Sequence, residues 1–386
     1  MNRIVILGAG YAGLITAVSL AGRTRRREDV QITIVNAEER FTERLRLHQT
    51  ASGQRLADLR IPELLAGTRV EFVRGWVTGI DTAAHRVRVD DGREIEYDRL
   101  VYALGATADT DTVPGVGEHA YTLDSAHDAE LLARKLASLG NGTVVVCGGG
   151  LTGVEAAAEV AEQHPGLDVV LLGRQEPGST MAPKAKAHLH AGLARLGVRV
   201  VSGVEIVKVR PGSVDLADGT SVQADAVLWT SGVRVPVLAA AAGLRVDGSG
   251  RIVTDPALRS VSHPQVYAVG DAAAIQQGYG VLHGTCGSGL ANGVHAATSI
   301  VRELDGRQPR TFRFGYLHAA VSLGRHDAVI QFTHPDDSPK RFFLTGRPAV
   351  WYKETVSSIA WPSFGQLKTF PAMGAFVWRR GGRFTR

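Results

Sequence analysis

Cysteine is nearly absent from this chain of 386 residues: only Cys147 and Cys286 occur, far apart in sequence. That excludes a disulfide framework and a multi-cysteine metal centre, so no metal is expected, and it fits a reducing cytoplasm. Long apolar runs are also missing. Nothing reaches the roughly 18 uninterrupted apolar residues of a spanning helix, so no transmembrane segment is expected. The start leaves no room for a signal peptide, because Arg3-Ile4-Val5-Ile6-Leu7 enters a strand at once. The expectation from these absences is a soluble cytoplasmic protein.

Charge of one sign is not concentrated either. The formal charge is +5 and the isoelectric point near 9.3, but the basic residues are scattered. The one tight cluster, Arg23 with Arg25, Arg26 and Arg27, runs straight into Glu28 and Asp29. That pattern reads as a solvated helix end and loop, and no nucleic-acid partner is expected. The length exceeds what one hydrophobic core organises, so two or three domains are expected.

What the chain does contain is an internal repeat. Ile4-Val5-Ile6-Leu7 is followed by Gly8-Ala9-Gly10-Tyr11-Ala12-Gly13 and an alanine-rich segment of helical character. Val144-Val145-Val146-Cys147 is followed by Gly148-Gly149-Gly150-Leu151-Thr152-Gly153 and a similar segment. Each leads into another apolar strand, Gln31 to Val35 and Val169 to Leu172. Downstream, Asp91-Gly92, Asp98 and Gly105 recur at one constant offset as Asp218-Gly219, Asp225 and Gly232. The Asp-Gly pairs predict hairpin turns in a small antiparallel insertion. Two copies of one supersecondary plan predict two tandem Rossmann-like α/β domains. A third strand, Val266 to Val269, ends in Gly270-Asp271, and a helix over Gly289 to Leu304 would complete the first domain. From Arg310 the residues turn aromatic and basic, which marks a small C-terminal α+β domain. The expected division is 1–114 and 255–308 for the first domain, 115–254 for the second and 309–386 for the third.

The glycines have a physical purpose. In G-x-G-x-x-G the first makes a tight turn, the second lets a pyrophosphate approach, and the third lets helix and strand pack closely. The helix N-terminus then aims free N–H groups and a positive dipole end at the phosphates. Gly8, Gly10, Tyr11, Ala12 and Gly13 are the first set of candidates, and Gly148, Gly150, Thr152 and Gly153 the second. Both copies sit between a strand and a helix, the context the motif requires. Two such sites predict two dinucleotides, and flavin with nicotinamide is the natural hydride-passing pair. Asp271 could accept hydrogen bonds from the ribityl hydroxyls of FAD, or could cap the next helix. Asn36 stands where an acid usually meets the FAD ribose. Arg44, Gly105, Gly232 and Gly270 complete the cofactor-binding candidates.

On these motifs the chain resembles the pyridine-nucleotide–disulfide oxidoreductase superfamily over roughly Arg3 to Ile300. Within it the chain is most similar to type II NADH dehydrogenases and their soluble, apoptosis-inducing-factor-like relatives. The resemblance implies FAD in the first domain, NADH or NADPH in the second, and hydride transfer from nicotinamide to flavin. It also implies that Glu155 lies near the nicotinamide carboxamide; the alternative is a first-turn glutamate favoured by the helix dipole.

Three departures qualify the resemblance. The cysteine pair of the disulfide-reductase branch is missing from Phe41 to His48, so electrons must leave the flavin directly. The glutamine-rich quinone motif is missing from Leu282 to Gly289, and the tail Phe370 to Arg386 is short, with Trp378-Arg379-Arg380 read as a solvated end. The acid expected around Gly173 is missing, and Arg174 follows, which favours NADPH while Glu176 keeps NADH open. Acceptor reduction calls for a proton donor, with His48, His283 and Lys353 as candidates, though for each a lone polar residue on a structural surface is the commoner reading. Cys286 is read as a small buried residue rather than a reactive thiol. The leading function is an FAD-dependent NAD(P)H dehydrogenase reducing a quinone or another small-molecule electron acceptor. A tailoring flavoenzyme and a redox-sensing interaction protein stand as alternatives, and a homodimer is left open.

Overall fold

The structure, a computed structural model, describes residues 1–372; the Trp378-Arg379-Arg380 stretch lies outside the described residues. The first sheet is fully parallel, in the order Val266–Ala268, Arg99–Tyr102, Asn2–Leu7, Val30–Asn36, Val70–Arg74. Its central strands are unbroken apolar runs, and Ile4, Ile6, Leu100 and Val101 are completely buried, as strands covered on both faces require. The helix Tyr11–Thr24 crosses the helix Cys286–Leu304 at close range. Gly293 permits this, since a Cβ there would meet Ile15 and Thr16. That second helix begins three residues before the predicted Gly289. Thr285 and Ser288 form a reciprocal capping box, with Ser288 N–H donating to Thr285 Oγ1 at 3.0 Å and Thr285 N–H to Ser288 Oγ at 2.9 Å.

The second sheet repeats this order without a counterpart of Val266–Ala268: Ala226–Trp229, Gly142–Cys147, Leu167–Gly173, Arg199–Ser202, again parallel. Each Rossmann unit carries a three-stranded antiparallel insertion. The Asp-Gly turns lie within these insertions, and Gly92 (φ 85°) and Gly219 (φ 86°) supply the left-handed backbone. Short strands Thr107–Ala108 and Val233–Arg234 pair where the chain passes between the units.

The C-terminal part is an antiparallel sheet of His318–Ser322, Ala328–Thr333 and Pro339–Thr345, followed by helices Gly346–Ser358 and Ala360–Thr369. It serves both units. Val321, Leu323 and Val329 join the core of the second unit with Val154 and Val160. Ala360, Phe364 and Leu367 join the core of the first. Apolar burial thus clamps the helix Leu151–Gln163 against this sheet, and that contact builds the site described next.

Candidate active site

The two glycine turns are constructed alike. Gly8 has φ 92° and a Cβ there would lie 2.6 Å from Ala103 O; at Gly13 and Gly153 a Cβ would run into the carbonyls of Gly8 and Gly148. The first and third glycines are therefore demanded by the fold itself. The second glycines are not. Gly10 (φ −71°, ψ −170°) and Gly150 (φ −71°, ψ 176°) have ordinary extended backbone. A Cβ on either would meet no described atom within 4 Å. Neither conformation nor packing explains these two glycines, whereas the approach of a diphosphate to a helix N-terminus does.

Gly270 is a left-handed residue (φ 70°) fixed by Asn292, whose Oδ1 accepts its N–H at 3.1 Å. This presents Asp271 between the first fingerprint helix and the helix Cys286–Leu304. Asp271 is largely enclosed, and its carboxylate has no hydrogen-bond partner among the described residues. Burial raises its pKa, opposed by the charge of Arg44. The adjacent Gly284 admits the carboxylate, since a Cβ there would collide with it. A free acceptor in this position suits the hydroxyls of a polyol.

Three sequence candidates meet in one buried cluster. Glu155 Oε1 accepts from Lys353 Nζ at 2.7 Å, Ser322 N–H at 3.0 Å and Ser322 Oγ at 3.2 Å. His48 Nδ1 lies 3.9 Å from Glu155 Oε2, and His48 Nε2 is 3.5 Å from Ser322 Oγ. Lys353 also donates to Ala320 O at 3.0 Å. Glu155, His48 and Lys353 are all under 10% exposed. Burial would raise the pKa of Glu155, but the charge and hydrogen bond of Lys353, with the Ser322 N–H, hold it below the ordinary value. Burial depresses His48 to about 4, outweighing the pull of Glu155, so the ring is neutral. This cluster can hold and release a proton in an enclosed space. The surface-residue reading of His48 and Lys353 is therefore corrected, because both are drawn inward by a shared acid. The first-turn dipole reading of Glu155 is corrected as well: it lies beyond the first turn and is paired across elements.

The charge of Lys353, like that of Arg44 and Asp271, bears on the thiol of Cys286. Residues 2–298 match the family model described as pyridine nucleotide-disulphide oxidoreductase. The chain belongs to that family. This oxidoreductase is 29% identical over 383 residues to an NADH dehydrogenase-like protein of Mycobacterium tuberculosis, covering 93% of this chain and 94% of that one. It is 29% identical over 392 residues to a type II NADH:quinone oxidoreductase of Staphylococcus aureus, covering 93% and 95%. In fold it resembles the sulfide:quinone oxidoreductase of Aquifex aeolicus (TM-score 0.79, 19% identity, 96% and 92% of the two chains). It likewise resembles the NADH-bound NDH2 of Plasmodium falciparum (TM-score 0.79, 15% identity, 96% and 97%).

The oxidoreductase places its other candidates apart from this cluster. His283 stacks on Tyr316 at 4.3 Å and faces Asp337 at 3.6 Å, half exposed, with no contact to His48 or Lys353. Asn36 Oδ1 accepts the Ala9 N–H at 2.8 Å, and its amide donates to Glu38 O at 2.7 Å, so it braces the first glycine turn. Arg44 donates to Ala106 O at 2.9 Å and faces Asp124 at 3.4 Å. Tyr11 packs edge-on against Phe41 at 5.0 Å. Gly105 and Gly232 are left-handed, with φ 68° and 73°, and Thr152 lies exposed in the first turn of its helix. Cys286 is enclosed, its thiol pushed up to about 12 by burial and then by Asp271. Arg174 is largely exposed and pairs with Glu205 Oε1 at 2.7 Å, while Glu176 is engaged by Lys186.

Sequence reasoning missed Ser322, Asn292, Gly284 and Glu205, which act through the chain's tertiary return. Among the described residues no helix is long and apolar enough to cross a membrane.

Proposed function

We propose that this protein is a cytoplasmic FAD-dependent NAD(P)H dehydrogenase that delivers electrons to a quinone or a similar small conjugated acceptor. The observation that carries the reading is the pair of second glycines, Gly10 and Gly150, which neither backbone nor packing requires. Residues 1–114 with 255–308 would hold FAD: Gly8, Gly10 and Gly13 at the pyrophosphate, Asp271 at the ribityl chain, with Asn36 and Arg44 bracing the turns around it. Residues 115–254 would hold the nicotinamide dinucleotide on Gly148, Gly150, Thr152 and Gly153. Bound FAD supplies hydride acceptance and onward electron transfer. The type II NADH:quinone oxidoreductase relative supports the acceptor class.

The protein's own residues supply orientation, exclusion of water and a proton. Apolar clamping of the helix Leu151–Gln163 keeps the Glu155 cluster dry, so its charges interact through a low dielectric. Reducing a quinone to its hydroquinone takes up one proton beyond the hydride. Lys353, held at 2.7 Å by the Glu155 carboxylate, is a nitrogen donor for that proton, and Glu155, ionised at rest, can only hand on a proton that it first receives from elsewhere. Neutral His48 tightens the site without adding charge. No dithiol takes part, since Cys147 and Cys286 are separate free thiols.

The test is anaerobic stopped-flow mixing of purified, yellow protein with NADH or NADPH, followed by a soluble quinone. Rapid bleaching and quinone-dependent recovery of colour are expected. A colourless protein that cannot be reconstituted with FAD would overturn the reading.

A further inference from the structure

One buried acid takes no part in the cluster as described. Glu159 is completely buried, one helical turn beyond Glu155. Its Oε1 is taken by the amide of Gln54, while Oε2 has no partner among the described residues. Residues four apart on a helix stand one above the other, about 5–6 Å between Cβ atoms. Glu162, on the same face one turn further on, is only partly buried and accepts the Arg325 N–H at 2.7 Å. Three carboxylates thus form a row running from the rim of the sheet contact into the enclosed Lys353 cluster.

A fully buried acid with a free oxygen is far cheaper as the neutral acid than as the anion. The charged groups bearing on Glu159 act in opposite directions: Arg325 from the hairpin Ser322–Ala328 favours the anion, while Glu162 and Glu155 on its own helix oppose it. His48, on the short helix Leu47–Ala51 packed against this helix, is neutral, and Gln54 is uncharged. Burial prevails and holds the acid at about 7, so its proton is exchangeable at neutral pH.

We propose that Glu159 is the proton store of this oxidoreductase, recharging the Glu155–Lys353 pair from the side of Glu162. It rests on the dehydrogenase reading. In balance, NAD(P)H supplies a hydride and Glu159 supplies one proton to the acceptor by way of Glu155 and Lys353. Glu159, left as a carboxylate, then regains a proton from solvent through Glu162. Glu159 touches no reacting atom, so it is a relay rather than a catalytic residue, and an isosteric amide in its place blocks the relay while keeping the Gln54 contact.

Two measurements test it. Infrared difference spectra of the purified protein, taken across pH without any reaction, should show a protonated-carboxyl band that disappears through neutrality and is missing from Glu159→Gln. In stopped flow, Glu159→Gln should leave flavin reduction by NAD(P)H unchanged, slow reoxidation by a quinone about tenfold or more and flatten its pH profile, with Glu159→Asp partly restoring both. Glu159→Asp also serves where the amide variant does not fold. A wild-type band lost only in the acidic carboxylate range, or Glu159→Gln reoxidation at the wild-type rate and pH profile, would overturn the relay. Failure of wild-type flavin reduction itself would instead overturn the dehydrogenase reading, while the infrared result still stands or falls alone.

Discussion

Lys353 Nζ lies 2.7 Å from Glu155 Oε1, which ties the helix Gly346–Ser358 to the helix Leu151–Gln163 that follows the second glycine turn. Both groups are under 10% exposed, and removing one partner strands the other charge. Lys353→Met should destabilise the protein by about 3–5 kcal/mol, whereas Lys353→Met with Glu155→Gln should recover most of that loss. Urea unfolding midpoints check this; equal midpoints for the single and double variants would show that the pair carries no such coupling.

His48 makes a pH-dependent contribution of predictable sign. Its folded value, about 4, lies below the ordinary 6.5, so the unfolded chain binds the extra proton first. The contribution is full above 6.5 and is lost as pH falls from 6.5 towards 4, on the order of 3 kcal/mol in all. His48→Gln should show a shallower decline in stability than wild type across that window. Parallel curves would refute the neutral, buried ring.

Gly284 exists to make room for Asp271. Gly284→Ala should push the carboxylate out of line and weaken FAD retention much as Asp271→Ala does, by about 1–3 kcal/mol or roughly 5- to 150-fold. The double variant should be no worse than either single one. Release of flavin fluorescence on dilution measures all three, and additive losses would separate the two residues.

Cofactor choice turns on Arg174 and its neighbour. The Arg174–Glu205 pair is largely exposed, so it holds weakly, and a 2′-phosphate can displace Glu205. Arg174→Ala should cost NADPH about 10- to 150-fold in apparent affinity, with NADH little changed. Glu205→Gln should improve NADPH selectively, by removing a like charge. Steady-state kinetics with both cofactors decides this; indifference of both variants would leave Arg174 a surface residue.

Much of this molecule could be read from its residues alone, because the relevant physics is local. Strand, glycine turn and helix follow one another within some twenty residues, so both fingerprints and the Asp-Gly turns were legible, and the repeat implied two matching sheets. Gly173 is a different matter. It reads as a missing acid, yet a Cβ there would crowd Gly149 N at 3.0 Å, so packing against the glycine turn explains it. Two partners of Glu155, His48 and Lys353, were named but not joined, and Ser322 was missed: the three come from distant segments, and only the shared core brings them together. No periodicity announces a hydroxyl such as Ser322 or a gap-making glycine such as Gly284.

The place of Val266–Ala268 at the edge of the first sheet sets a timetable for biosynthesis. A ribosome makes Asn2–Leu7 long before Val266–Ala268, and that fifth strand of the sheet emerges only after the entire second Rossmann unit has been made. Until then Arg99–Tyr102 presents an unpaired parallel edge, the kind of surface on which nascent chains associate. The later-made unit has its four strands in one uninterrupted stretch and can close first. Order of synthesis and order of completion are therefore reversed for these two units, and the sheet begun by Asn2–Leu7 is the later one to be sealed.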